Sequence, residues 1–486
     1  MSQKSIRKDV ISVGSANAFS YLAQFLLPIV LTRVLLPDDF AGYRMVWLVV
    51  STLLVFAPLQ IPDSLSYFLP REKNYSDRAS YIVGALIILT ASASIASLVV
   101  NPWYPLLPLE WLTINGPDWF FSAIIFFWVI ANMLDLLPVG DGRPGLQAVF
   151  ILTFALTRVI SISFTAWLTG SLEAILYVMI ALVLFKLSLL FFYILKFHDV
   201  RRVISRNIIY RLLSYSWSFG VSNALYFARI QLEIWMVAAL FMTREFAAFS
   251  LGSVATPIFG LIRRSVFLVT FPNISKLEQN QDKKGIASLN RKATSSVAFI
   301  IYPLAVFLWV FAEEIISIVY TSQYVDAAFV MRVYMLGVIP MVMESTLLMR
   351  VSGLGKAALK INFFMIPLVL LLSYFGIQMF GLPGGAIGST TAVYLSRYLE
   401  IKKGANHLDI PILSLYDFRS LAKILLVSII SAFIARYSVD LLGSDSLLIS
   451  AAIGFCSLFI IFLLVSTIIR IVPGPIVRTV SSKFLS

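Results

Sequence analysis

Long apolar stretches recur along the whole chain, separated by short polar segments. A helix that crosses a bilayer needs about 20 consecutive apolar residues, and the sequence contains about 14 runs of this kind. Segments rich in Pro, Gly or Asp, such as 36–39, 140–145 and 381–384, allow the chain to turn between them. The pattern predicts helices at 11–36, 45–66, 80–100, 119–139, 146–168, 173–195, 213–242, 247–270, 294–320, 329–350, 359–380, 383–400, 420–441 and 446–471.

The composition places the chain among membrane proteins. Hydrophobic residues make up 59% and charged residues 13% of the 486 positions, and the mean hydropathy is +0.89, whereas a soluble domain has roughly 45–50% apolar and 25% charged residues. About 14 crossings and their connections use most of this length, which excludes a large soluble catalytic domain. The sequence therefore predicts an all-α, polytopic membrane protein.

The distribution of Lys and Arg predicts how the chain is oriented in the membrane. Cations are retained in short loops on the cytoplasmic side. With the amino terminus inside, most of the 38 cations fall in inside segments. The outside segments hold only Arg33, Arg44, Arg244, Arg332 and Arg436. An even number of crossings then places both termini in the cytoplasm. The net charge of +13 therefore reflects topology, and we expect no nucleic-acid partner.

Metal and redox chemistry are not expected from the residue inventory. The chain has one cysteine, Cys456, and two histidines, His198 and His407, far apart in the sequence. A disulfide or a zinc site needs more ligands than these. Cys456 lies in an apolar run and is expected to be a buried core residue without a role. No Walker-type phosphate loop is present, and we expect no cofactor.

A weak internal repeat predicts two lobes. Shifting the sequence by 206 residues places the first helix on the seventh and matches Gly14 with Gly220 and Phe40 with Phe246. Because the shift spans six helices, an even number, both copies would point the same way through the bilayer. We therefore expect an amino-terminal lobe at 1–197, a carboxy-terminal lobe at 198–400 and two accessory helices at 401–486.

Charged residues inside the predicted helices mark a candidate site. A charge at the bilayer centre costs about 2.5–3.5 kcal/mol on insertion scales, so it normally faces a cavity, a partner or water. Arg397, at an inner helix end, can reach the interface. Five further cations are candidates for binding an anion such as phosphate, whose oxygens match the donors of arginine. These candidate residues are Arg158, Lys186, Arg229, Arg263 and Arg264.

Polar stripes accompany these charges. The seventh helix carries Ser222, Tyr226, Arg229 and Glu233 at the spacing of one helical face, and the first helix carries Asn17, Tyr21 and Gln24. Arg229 and Glu233 are four residues apart, so they either pair structurally or contribute to a ligand site. Lys186 and Arg158 have no carboxylate one turn away in their own helices. The acids that could couple an ion are Asp63, Asp135, Glu233 and Glu344.

Three short motifs resemble those of a known family. Residues 32–43, TRVLLPDDFAGY, resemble the "R-x-L-G-P-x-x-F-G-x-Y" segment of Wzx-like polysaccharide flippases, except that Leu36 replaces the usual Gly. Residues 271–277, FPNISKL, and 311–316, FAEEII, resemble two further segments of that family. It is the polysaccharide transporter branch of the multidrug/oligosaccharidyl-lipid/polysaccharide (MOP) exporter superfamily. The resemblance runs over nearly the whole chain, although each motif is short.

The resemblance implies a two-lobed carrier that flips an undecaprenyl-diphosphate-linked oligosaccharide, such as an O-antigen or lipopolysaccharide precursor, to the outer leaflet. Its location would be the bacterial inner membrane. Its partners would be this lipid-linked sugar, membrane lipids and, in some systems, the polysaccharide polymerase machinery. The cationic residues would hold the diphosphate, the polar stripes would meet the sugar and the polyprenyl tail would stay in lipid.

Other functions stay open at the level of sequence. A multidrug antiporter of the same superfamily needs an acid-rich cavity, which the excess of intramembrane Arg and Lys disfavours. A lipid II flippase binds a ligand of the same chemistry, so the sequence distinguishes it poorly from a polysaccharide flippase. A membrane polymerase or ligase would need catalytic residues in a sizeable outside loop, whereas the longest outside stretch, 101–118, carries only two acidic residues. We therefore expect a transporter rather than an enzyme.

Overall fold

The computed structural model describes residues 3–72, 75–101, 103, 117–198, 206–345, 348–349, 352–442, 446–469 and 471–473. Side chains 3–11, 75–77, 218, 219, 222, 223, 226, 268, 269 and 272 are not described. All regular elements of the described residues are helical, which confirms the predicted fold class. Most of the predicted outside stretch 101–118 falls outside these residues.

Long helices coincide with the predicted runs. The first half contains α1 (Gln3–Val34), α2 (Pro37–Phe56), α3 (Tyr75–Val99), α4 (Phe120–Ala131), α5 (Pro144–Thr169), α6 (Leu172–Phe197) and α7 (Arg206–Leu240). The second half contains α8 (Thr256–Gln279), α9 (Lys283–Val310), α10 (Ala327–Met341), α11 (Gly355–Phe380), α12 (Gly385–Leu408), α13 (Phe418–Leu442) and α14 (Leu447–Ile468). There are also three short helices along the chain. Ile61–Phe68 follows α2, Thr243–Ser253 lies between α7 and α8, and Ala312–Tyr320 follows α9.

Among the described residues, 11 helical segments are long and apolar enough to cross a membrane. The other three predicted crossings correspond to α7, α10 and α12. Helix α10 is only 15 residues long, and α12 carries Arg397, Glu400, Lys402 and Lys403 within one stretch. The chain is therefore a multi-pass membrane protein, and every predicted crossing has a helical counterpart.

The chain divides into two compact units, and the boundary falls within α7. Unit 1 comprises 1–227 and 242–247, and unit 2 comprises 228–241 and 248–486. In unit 1, α1 packs along α5, while α4 packs against α3 and α6. In unit 2, α11 packs on α12, and α13 packs on both α9 and α14.

The prediction that Cys456 is a core residue is wrong. Its side chain is exposed on α14, although the surrounding sequence is strongly apolar. Phe455 and Ile460 on the same helix are also exposed. In a membrane protein an apolar helix can present its surface to lipid, so an apolar neighbourhood in the sequence does not imply burial in the protein.

Candidate functional site

A break in α4 creates the polar part of the site. The α-helix ends at Ala131 and continues as a 3₁₀ turn, Asn132–Asp135. Pro138 explains the break, because it lacks an N–H donor and its ring clashes with the carbonyl four residues earlier. Residues three apart lie on the same side of a 3₁₀ turn, so Asn132 and Asp135 project together. The buried Gln147 of α5 donates its side-chain N–H to the backbone carbonyl of Asp135.

This turn borders a cavity within unit 1. The cavity has a volume of about 280 Å³ and is formed by α1, α4, α5 and α6 together with the 3₁₀ turn. Its charged lining residues are Arg158, Lys186 and Asp135, two cations and one anion. Polar side chains line it as well, namely Asn17, Ser20, Gln24 and Asn132. The charges of the side chains that line the cavity therefore sum to +1.

Lys186 is held at the cavity by the 3₁₀ turn. Its Nζ donates to Asp135 Oδ2 at 2.8 Å and to Asn132 Oδ1 at 3.2 Å. The lysine side chain is 4% exposed, whereas that of Asp135 is 52% exposed. The ammonium also lies 5.1 Å from the ring centroid of Phe154. Lys186 has no carboxylate one turn away in its own helix, and its partner lies 51 residues away on another element.

Arg158 is held differently. Its guanidinium carbon lies 4.3 Å from the ring centroid of Trp47, an arrangement in which the aromatic face stabilises the cation. Its Nε is buried and has no hydrogen-bond partner among the described residues. No carboxylate in the described part of the chain is within ion-pair distance of it. Arg158 thus lines the cavity as a cation that no carboxylate of the described residues neutralises.

Two of the three residues of the predicted polar stripe on α1 line the cavity. Asn17 and Gln24, seven residues apart, both line the cavity. Tyr21 is exposed and is not one of the lining residues. Asn17 and Gln24 add neutral donors and acceptors to the lining of the cavity.

The remaining predicted cations lie in unit 2. Arg263, a candidate for binding an anion, forms an ion pair with Glu344. Arg264 is exposed. Arg397 is 3.8 Å from Glu400 and donates to Ser345, and the side chains of Arg397 and Glu400 are 14% and 12% exposed. Arg397 is therefore part of a largely buried polar cluster instead of reaching for the interface.

The predicted stripe on α7 is described only in part. The side chains of Ser222 and Tyr226 lie outside the described residues. Glu233 is buried and accepts a hydrogen bond from the Tyr334 hydroxyl at 2.6 Å, and Arg229 is close enough to interact with its charge. Asp63 is exposed at the start of the helix Ile61–Phe68. The structure thus does not bring these acids into the unit 1 cavity, apart from Asp135.

A second buried polar cluster in unit 1 is absent from the sequence predictions. Asp141 accepts a hydrogen bond from the Tyr193 hydroxyl at 2.7 Å, and its Oδ2 lies 2.7 Å from Nε2 of His198. The side chains of His198 and Asp141 are 4% and 2% exposed. In the sequence, Asp141 and His198 stand out only as polar residues near the ends of predicted crossings. The 57 residues between them give no indication that the two side chains are in contact.

Comparisons with known proteins agree with this architecture. A family model described as "Polysaccharide biosynthesis protein" matches residues 145–329. This range includes α5 and α6, which carry Arg158 and Lys186. No curated protein matches the chain significantly.

Several solved structures share the fold. The lipid II flippase MurJ in an inward closed conformation superposes with a TM-score of 0.70 at 15% identity, covering 95% of this chain and 100% of that one. An inward-facing multidrug resistance MATE family transporter of the MOP superfamily gives 0.62 at 12% identity, with 80% and 94% covered.

A further structure is a MOP superfamily transporter from Pyrococcus furiosus described as having a binding pocket of reverse polarity. It gives a TM-score of 0.52 at 16% identity, with 82% and 94% of the two chains covered. The chain therefore has the fold of MOP superfamily transporters.

Proposed function

We propose that this chain is a flippase that moves an undecaprenyl-diphosphate-linked oligosaccharide across the membrane by alternating access. The fold is shared with transporters of the MOP superfamily. The family model that matches α5 and α6 describes polysaccharide biosynthesis, which supports a lipid-linked sugar as the transported molecule.

One observation carries the proposal: two cations, Arg158 and Lys186, line the same cavity, which contains a single carboxylate. Charges inside a membrane protein are screened less than in water, so a positive cavity attracts an anion. A diphosphate offers several oxygens to an arginine with an unsatisfied buried Nε and to a lysine ammonium.

The rest of the substrate fits the neighbouring surfaces. Asn17 and Gln24 line the cavity and would donate to and accept from sugar hydroxyl groups. The polyprenyl tail is apolar and would remain in the lipid, since moving it into a polar cavity loses its contacts with the bilayer. Tyr21, Arg229, Arg263 and Arg264 are not among the lining residues of this cavity and are not assigned to the headgroup, and no role is assigned to Ser222 and Tyr226.

The cellular setting follows from the same proposal. We place the protein in the bacterial inner membrane with both termini in the cytoplasm, because the cations are concentrated in the predicted inside segments. The lobes at 1–197 and 198–400 would provide the alternating access, with 401–486 as accessory helices. The exported lipid-linked sugar would then reach the polymerase machinery at the outer leaflet.

The membrane potential provides a driving force. Two negative charges that leave an inside-negative cell at 100 mV gain about 4–5 kcal/mol, since each charge contributes about 2.3 kcal/mol. A coupled proton or sodium ion would use one of the acids Asp63, Asp135, Glu233 or Glu344. Glu233 suits this role, because its Oε2 is buried and has no hydrogen-bond partner among the described residues.

A lipid II flippase is the second candidate. The structural similarity to MurJ supports it, and the headgroup chemistry is the same. The two candidates differ in the glycan, so transport of lipid II compared with another undecaprenyl-diphosphate oligosaccharide separates them. A cation antiporter is disfavoured, because the charged lining of the unit 1 cavity is net positive.

The proposal is tested by reconstitution of the protein in liposomes with a fluorescent polyprenyl-diphosphate disaccharide. Flipping is measured as loss of access of an impermeant quencher to the label. Lys186→Gln and Arg158→Gln are each expected to weaken headgroup binding roughly tenfold to a hundredfold, because a charge-assisted hydrogen bond contributes about 1.5–3 kcal/mol. Flipping at low substrate concentration should slow accordingly.

Lys196→Gln is the matched control. Lys196 lies on the same helix as Lys186 but is exposed in its last turn, so its removal should leave flipping unchanged. Wild-type flipping rates in both cavity variants would contradict the proposal. Covalent conversion of the substrate by the wild-type protein would contradict it as well, since a flippase leaves the molecule intact.

A further inference from the structure

Asp135 occupies the place that an anionic ligand would take in the cavity. Its carboxylate is bonded to Lys186 at 2.8 Å. The lysine is almost fully enclosed, whereas half of the aspartate side chain is open to the cavity. Of the two partners, therefore, only the carboxylate has free space into which it can move.

The attachment of Asp135 is weak compared with that of other intramembrane acids. Among the described residues, its carboxylate makes no hydrogen bond other than the one from Lys186. In contrast, the side chain of Glu344 is 6% exposed against Arg263, and that of Asp141 is 2% exposed between Tyr193 and His198. Those two carboxylates have no comparable open space. Asp135 can reach water in the cavity, so releasing it from Lys186 does not bury an unpaired charge.

The charged groups facing Asp135 are few. Lys186 of α6 and Arg158 of α5 are the charged side chains that line the cavity with it, and α1 contributes the neutral Asn17 and Gln24. With Asp135 on Lys186, two of the three ammonium donors are used and the charge of the lysine is neutralised. With Asp135 displaced, both cations face the same space, which matches the two negative charges of a diphosphate diester.

We infer that Asp135 is an internal counter-anion that competes with the diphosphate headgroup for Lys186. This inference rests on the proposed function. The ligand and the carboxylate exchange on one ammonium, so the fraction of protein with Asp135 released sets the apparent affinity. The competition keeps Lys186 neutralised in the empty cavity and favours release of the headgroup after transport. Asp135 is thus a residue that tunes affinity through Lys186, without contacting the substrate.

The test is binding of two probes, geranylgeranyl diphosphate and inorganic pyrophosphate, to the full-length protein in nanodiscs. Removing the competitor with Asp135→Asn should raise the affinity roughly twofold to fivefold and slow dissociation by a similar factor. A purely structural ion pair predicts the opposite sign, since its loss would disturb Lys186 and weaken binding. Asp135→Glu should restore the wild-type affinity.

Tighter binding of both probes would place recognition on the phosphates. A gain for the lipid probe alone would indicate that the tail is needed to bring the headgroup to the cavity. Both results support the competition. Glu173→Gln is the control, because Glu173 is exposed in the first turn of α6, and it should leave binding unchanged. Asp135→Ser serves as a second variant if the asparagine protein does not fold.

The two possible failures are distinguishable. If the wild-type protein binds the probes and the folded neutral variants, Asp135→Asn and Asp135→Ser, bind them equally or more weakly, the competition is wrong while the proposed headgroup site stands. If neither wild type nor variants bind either probe, the proposed function fails and the competition fails with it.

Discussion

At the scale of single residues, the structure pairs charged and polar groups that are far apart in the sequence. Asp135 meets Lys186 from a distance of 51 residues, and Asp141 meets His198 from 57. Burial makes such partners important, because a polar group removed from water costs free energy unless it is hydrogen-bonded. The two pairs differ in exposure: Asp141 is enclosed, whereas Asp135 opens to the cavity. We therefore expect the stability of the protein to depend on the pair Asp141–His198 and ligand binding to depend on the pair Asp135–Lys186.

The enclosed pair gives a prediction about stability. His198→Ala removes one of the two partners of Asp141 Oδ2 and leaves the Tyr193 hydroxyl as the remaining side-chain donor to this buried carboxylate among the described residues. The free energy of unfolding should fall by about 1–3 kcal/mol, the cost of leaving a buried group unsatisfied. Denaturation in mixed micelles measures this change. His407→Ala is the matched control, because His407 is exposed at the end of α12, and a loss of equal size in both variants would contradict the structural role of His198.

Residue types and spacing along one helix identified the cations of the cavity, but not their partners. Arg158 and Lys186 stand out in the sequence because a charge within an apolar run is costly. For Lys186 the sequence shows only that no carboxylate lies one turn away in the same helix, because residues three or four positions apart are the neighbours that a helical sequence reveals. Asp135 comes from the turn after α4, and its approach to α6 depends on helix packing that the sequence alone does not reveal.

At the scale of helices, close packing of α11 and α12 depends on small side chains. A Cβ atom on Gly388 would overlap the Ser373 side chain and the backbone of α11, and Gly384 and Gly376 approach each other directly. Ser373 is fully buried and donates to the carbonyl of Gly385 at 2.9 Å. Gly384 and Gly388 form a G-x-x-x-G pattern, which allows the backbones of membrane helices to approach closely.

A larger side chain in this interface should therefore be destabilising. Gly388→Leu forces α11 and α12 apart, and overpacking of this kind typically costs about 1–3 kcal/mol. The midpoint of thermal unfolding in detergent should fall. In Gly260→Ala the new methyl group meets no atom within 4 Å, and this variant should unfold at or slightly above the wild-type temperature, since alanine is the better helix former. Equal midpoints for Gly388→Leu and wild type would exclude the close contact.

Helix positions were predictable because each needs only an apolar run of sufficient length. The run 119–139 shows the limit of this approach: the structure divides it into α4, the turn Asn132–Asp135 and the helix Leu137–Gly140. A proline in the sequence signals a possible break. It does not show that the backbone carbonyl of Asp135 accepts a hydrogen bond from the side chain of Gln147. That contact, which supports the site, needs the tertiary structure.

At the scale of the whole molecule, the fold agrees with the resemblance found in three short motifs. MurJ covers 95% of the chain at 15% identity, so the architecture is retained although most residues differ. The repeat is equally faint in sequence, yet Phe40 and Phe246, which it equates, are both buried. Hydrophobic patterning constrains a membrane fold strongly, whereas recognition of one particular glycan depends on a few polar residues in a cavity.

The central claim concerns where the headgroup binds, and a cryo-electron microscopy structure of the full-length protein with geranylgeranyl diphosphate tests it most directly. We predict diphosphate density within hydrogen-bond distance of Arg158 and Lys186, with Asp135 moved off the lysine. Diphosphate density that contacts neither Arg158 nor Lys186 would contradict the account.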